Sequence, residues 1–157
     1  MRKKLLSLAA FILVTAFIAG SLDAIAACIQ FLLKGGKDPG IVFKFIASGI
    51  TGRRQAFGGG IPMIVLGVSL HYFIALLFTI FYFLLYPITF LKKNVIISSM
   101  LYGAFTWVVM NLLVIPASLI SQQPGGWKDV AIAMSVLIAC IGFPVALMAR
   151  KYYLYRK

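Results

Sequence analysis

Four long stretches of nearly unbroken apolar residues, separated by short basic segments, limit what this chain can fold into. They run from Leu5 to Leu33, Pro62 to Ile88, Val95 to Ile120 and Val130 to Ala149. Crossing a hydrocarbon core of about 30 Å takes roughly 20 apolar residues in a helix, and each stretch is long enough. The expected fold is an all-α membrane protein, a four-transmembrane-helix bundle that makes residues 1–157 a single transmembrane domain. Residues 41–50, "IVFKFIASGI", are too few for a fifth span and carry Lys44. They predict an interfacial or re-entrant segment over about 40–60, between spans 1 and 2.

Charge supports this class and excludes another. Fifteen Lys and Arg stand against three acids (Asp23, Asp38 and Asp129), for a net charge of +12, while 62% of the residues are hydrophobic. A nucleic-acid domain would spread such charge as a stripe on a soluble surface. Here the basic residues cluster between apolar runs, as orientation by positive charge and attraction to anionic lipid require, so nucleic acid is not an expected partner. With the N-terminus inside, Arg2, Lys3, Lys4, Lys92, Lys93, Arg150, Lys151, Arg156 and Lys157 make nine inner charges. Lys34, Lys37, Lys44, Arg53, Arg54 and Lys128 make six outer ones. N-terminus and C-terminus are therefore expected on the cytoplasmic side. "MRKK" and the apolar run after it also imitate a signal peptide, with "AIAAC" as a cleavage site, but the run is longer than a signal peptide's apolar core. It is read as a span.

Spans in lipid associate through close approach at small residues and a few polar contacts. Ala16, Gly20, Ala24 and Cys28 form such a stripe in the first run, Gly67 and Ala75 with His71 in the second, Ser99 and Gly103 in the third. Ala131, Ser135, Ala139, Gly142 and Ala146 form one in the fourth. Tyr and Trp near the boundaries, among them Trp127, Tyr152, Tyr153 and Tyr155, read as interface anchors, and Pro87, Pro116 and Pro144 as kinks or stops near span ends.

Polar groups at membrane depth cost a few kcal/mol and face the bundle interior, so Asp23, His71 and Asn111 are candidate site residues. At about 1.5 Å per residue, Asp23 and Asn111 lie roughly 25–27 Å from the inner surface and His71 near the midplane. Over the same outer half lies "IASGITGRRQAFGGG", residues 46–60, with Arg53 and Arg54. Asp23 can pair with this segment, and the surplus positive charge can hold an anion or lipid headgroup through guanidinium forks and exposed backbone N–H groups. Alternatively the arginines snorkel to anionic headgroups and anchor the loop. His71 is a proton relay or ligand contact, or else an imidazole bonded across to Asn111, Tyr102 or a helix carbonyl. Asn111 can equally be polar glue between spans. One histidine and scattered acids supply no metal cluster and no paired carboxylates, so neither an enzyme nor a cofactor is expected.

"GSLDAIAA", "FIASGITGRRQAFGGG", "LGVSLHYFIALLFTIFYFLLYP", "YGAFTWVVMNLLVIP" and "IGFPVALMARK", in this order, resemble a group of small bacterial integral membrane proteins distantly similar to the YagU-like family. The resemblance covers nearly the whole chain and implies a bacterial inner-membrane location with no established activity. That pattern often has a second His before the fourth-span "GxP", where this chain has "SVLIACIGFP", so a paired-histidine mechanism is not expected. The functional expectation is an inner-membrane protein that binds or transports an anionic ligand or lipid headgroup at its outer half. The alternative is a structural or accessory protein whose polar residues pack and anchor. Partners are the bilayer and its anionic lipids, with a homo-oligomer or a membrane protein as a further possibility; four short spans enclose little space.

Overall fold

In the computed structural model the described residues are 2–88, 90–120 and 125–154, with side chains described from Leu8 onward and not for 88–90. Tyr155, Arg156 and Lys157, and the side chains of Arg2, Lys3 and Lys4, lie outside what is described. All regular structure among the described residues is helical. The elements are α1 (Arg2–Leu33), α2 (Gly40–Thr51), α3 (Arg53–Gly58), α4 (Gly60–Leu85), α5 (Val95–Val109), α6 (Ile115–Ala117), α7 (Trp127–Leu137) and α8 (Phe143–Leu154). A π turn at Met110–Val114 joins α5 to α6, and a second at Ile138–Gly142 joins α7 to α8. Among the described residues four helices are long and apolar enough to cross a membrane: Leu8–Leu33, Gly60–Leu85, Val95–Ala117 and Trp127–Leu154. This is the architecture of a multi-pass membrane protein, and the fourth helix extends past both expected ends.

Local chemistry ends and starts these helices. Beyond α1, Gly35 takes a φ of 88° and its N–H bonds the Leu32 carbonyl, while the Gly36 N–H bonds that of Phe31. Those two bonds, with a left-handed glycine, make a Schellman cap. Asp38 Oδ1 accepts from the Gly40 N–H at 2.8 Å and opens α2. Gly52, with a φ of 78°, turns the chain from α2 into α3, and Asn94 Oδ1 accepts from the Ile96 and Ile97 N–H groups to open α5.

α1 packs between span 2 and span 4, and span 3 packs on span 4. The closest approaches fall at small residues. A Cβ on Gly20 would lie 3.2 Å from Ala75 Cβ, one on Gly103 2.5 Å from Ile138 Cα, and one on Gly142 2.3 Å from the Ser99 carbonyl oxygen. Ala16, Gly20 and Ala24 of the first stripe are buried. In the fourth stripe Gly142 and Ala146 are buried whereas Ala131, Ser135 and Ala139 are exposed; the π turn and α8 pack on span 3 more extensively than α7 does.

Spans 2 and 3 meet through large side chains instead. Tyr102 stands edge-on to Tyr82 at 4.6 Å, Phe81 stacks on Phe105 at 5.5 Å, Tyr82 bonds Ser98 and the Tyr102 hydroxyl donates to the Phe78 carbonyl. Tyr152 is 5% exposed and packs with Phe11 and Phe83, so it is a core residue and not an interface anchor. Tyr153 donates to the Phe83 carbonyl at 3.0 Å, and Trp127, 77% exposed, keeps the expected boundary position. Burial pushes the Tyr86 phenol above its ordinary value, with Arg150 pulling the other way.

α2 forms the roof of the opposite end. It lies along α4 so closely that a Cβ on Gly67 would sit 1.9 Å from the Phe43 carbonyl oxygen. At its far end the Gly49 carbonyl accepts from the Leu119 N–H at 3.0 Å, which ties α2 to the end of span 3. The helix thus bridges spans 2 and 3 at this end. At the same end Lys34 pairs with Asp129 at 2.7 Å, so Asp129 and Asp38 both have partners that their positions in loops did not suggest.

Candidate functional site

Beneath α2 the gap between spans 2 and 3 becomes a cavity of about 230 Å³. All four spans and α2 contribute to its wall. Asp23, His71, Thr106 and Asn111 supply the polar lining; Ile46, Ile74, Phe78, Ile115, Leu137 and Ile141 supply most of the rest. Three of the five residues singled out from the sequence therefore converge. They arrive from α1, α4 and the first π turn.

Arg53 and Arg54 do not join them. Both are exposed and line a separate shallow groove with Thr51, Gly52, Gln55, Gly58 and Gly59. The Arg53 guanidinium lies over the Phe57 ring at 5.6 Å, within cation–π range, rather than on the Asp23 carboxylate. α3 turns away from the cavity at Gly52, which is why the expected pairing of Asp23 with this segment does not form.

Hydrogen bonding fixes what the polar groups can offer. His71 Nε2 lies 2.8 Å from the Gly20 carbonyl oxygen. A carbonyl only accepts, so Nε2 is the donor of this bond and is committed to Gly20. The ring stands edge-on to Phe43 at 6.4 Å and to Tyr72 at 5.6 Å, and Tyr72 in turn bonds Ser21 at 2.8 Å. Of the partners expected for His71, the helix carbonyl is the one it takes.

Asn111 Nδ2 donates to the Trp107 carbonyl at 3.0 Å, leaving Oδ1 and the second amide hydrogen to the cavity. Thr106 donates to the Tyr102 carbonyl at 2.9 Å, which uses its hydrogen and leaves its oxygen able only to accept. Among the described residues no donor reaches the Asp23 carboxylate, although His71 is near enough to act on it electrostatically.

Thr106 escaped sequence reasoning for a geometric reason. It is five residues from Asn111, and at 100° per residue a regular helix would turn the two about 140° apart. Both nevertheless line the cavity, Thr106 from α5 and Asn111 from the π turn that begins at Met110. Each π turn is followed by a proline at the same spacing, Pro116 after Val114 and Pro144 after Gly142. Pro144 consequently sits well inside span 4 and not near its end. Both irregular turns reach the same cavity, through Met110 and Asn111 on one side and Ile141 on the other.

No group of three or more His, Cys, Asp or Glu is placed to hold a metal among the described residues. Comparison with family models, curated proteins and solved structures gives no match in any of the three.

Proposed function

We propose that this is a multi-pass membrane protein that holds a small ligand in the cavity beneath α2, with Asp23, His71 and Asn111 as its polar contacts. The observation that carries this reading is the Asp23 carboxylate, which lines a cavity inside the bundle with no hydrogen-bond donor on it among the described residues. An ionised carboxylate within an apolar span is costly and calls for a partner. His71 spends its Nε2 hydrogen on the Gly20 carbonyl and not on the Asp23 carboxylate. Two π turns at the same cavity point the same way, since such turns in helices concentrate at functional sites. The volume suits a molecule smaller than the drug-sized occupants of ~300–1,000 Å³ sites.

In this reading the membrane is the bacterial inner membrane, both termini are cytoplasmic and the cavity lies in the outer half. The anion expected beside Arg53 and Arg54 belongs to a different place on the molecule. Exposed arginines next to Phe57 and Ile61 suit anchoring of the α2–α3 segment to anionic headgroups. Native mass spectrometry of the protein extracted from its own membrane tests both parts. A small bound mass is expected in the wild type, retained in Arg53→Ala/Arg54→Ala and absent in Asp23→Asn, while bound anionic lipid falls in the arginine variant. A protein without bound small mass in every form removes the ligand and leaves a structural or accessory role.

A further inference from the structure

The donors and acceptors around the cavity are unequal. The polar lining residues bring two Asp23 oxygens, Asn111 Oδ1 and Thr106 Oγ1, all able to accept. Against these stand one amide hydrogen of Asn111 and, when it carries a proton, Nδ1 of His71; Nε2 is committed to Gly20. An ionised carboxylate has about four lone-pair sites and no hydrogen. The occupant that satisfies such a wall brings hydrogens of its own and a positive charge. An anion would meet the Asp23 carboxylate at short range in a low-dielectric setting, where like charges repel most strongly.

The apolar lining sets the rest of the molecule. Ile74, Ile115, Leu137 and Ile141 offer no polar side-chain atom, so a bare metal ion would keep little of its coordination there, whereas a hydrocarbon body fills that volume. Resting on the reading that the cavity holds a ligand, we infer that this ligand is a small organic ammonium cation, its nitrogen on Asp23 and Asn111 and its hydrocarbon against the isoleucine and leucine wall.

Three probes with one hydrocarbon body separate the possibilities: cyclohexylammonium, cyclohexanol and cyclohexanecarboxylate, titrated into the full-length protein in lipid nanodiscs by calorimetry, with sodium chloride alone as a control. Cyclohexylammonium is expected to bind at least tenfold more tightly than cyclohexanol, and the carboxylate not at all. Asp23→Asn is expected to bring the ammonium down to the level of the alcohol while leaving the alcohol unchanged. Leu137→Phe, which fills the cavity and keeps Asp23, is expected to weaken ammonium and alcohol together, and it serves alone if Asp23→Asn fails to fold. Equal binding of ammonium and alcohol, or preference for the carboxylate, overturns the ammonium class and leaves the cavity as a ligand site. Binding of sodium with none of the organic probes overturns the class in favour of a metal ion. No binding of any solute, or ammonium binding indifferent to both substitutions, overturns the site itself.

Discussion

Asp23 shows how far a single residue can be read from sequence and where that reading stops. Three acids in 157 residues, one of them inside an apolar run, mark it without any structure, and the same rarity marks His71 and Asn111. Their convergence follows from depth, since helical rise alone places all three in one half of the bundle. What pairs with them does not follow, because charge patterning along the chain carries no record of which way α3 turns after Gly52. Charge alone thus associates Arg53 and Arg54 with Asp23, whereas in the fold they line a groove of their own. If Asp23 serves a ligand, Asp23→Asn should make the empty protein more stable, by about 1–3 kcal/mol in unfolding free energy, because the cost of a carboxylate at depth is removed. If Asp23 were structural the same change would lower stability. Reversible unfolding of the ligand-free protein in mixed micelles distinguishes the two.

At the scale of elements, the four spans were legible because their length and hydropathy are continuous, and the Gly40–Thr51 helix because it is too short to be a fifth. The π turns were not. Both lie in apolar sequence whose period a few residues cannot define, and only the prolines at the shared spacing hint at them. α2 depends on one glycine for its seat. Gly67→Val introduces a Cβ where the Phe43 carbonyl already lies 1.9 Å away, so α2 must shift off α4. Overpacking of this kind costs about 1–3 kcal/mol. We expect a lower unfolding midpoint and loss of the cavity ligand in Gly67→Val. Gly58→Ala, whose added Cβ meets nothing within 4 Å, is expected to leave both unchanged.

The whole molecule has two unlike ends. Around Tyr82, Phe83, Tyr102, Val145 and Tyr152 the helices share a buried aromatic core with hydrogen-bonded hydroxyls. Beneath α2 they leave a cavity, and the exposed Lys34–Asp129 pair adds at most about 1 kcal/mol to that end. Local opening is easiest where little is buried, and α2 and α3 bury only Ala47, Ser48 and Ala56, so backbone amides of residues 40–58 should exchange faster than those of residues 78–86 and 98–106. Hydrogen exchange in nanodiscs, read by mass spectrometry, checks this; equal protection at the two ends would contradict it. The order of the spans around the bundle also bears on how the chain is made. Span 1 touches span 2 directly, and Gly20 on the first receives His71 from the second. Domains are built from the N-terminal side during synthesis. When the second span leaves the ribosome, Asp23 therefore already has its histidine neighbour, before spans 3 and 4 exist. The nascent hairpin can then enter lipid with Asp23 and His71 already side by side, and the later spans complete the chamber around them.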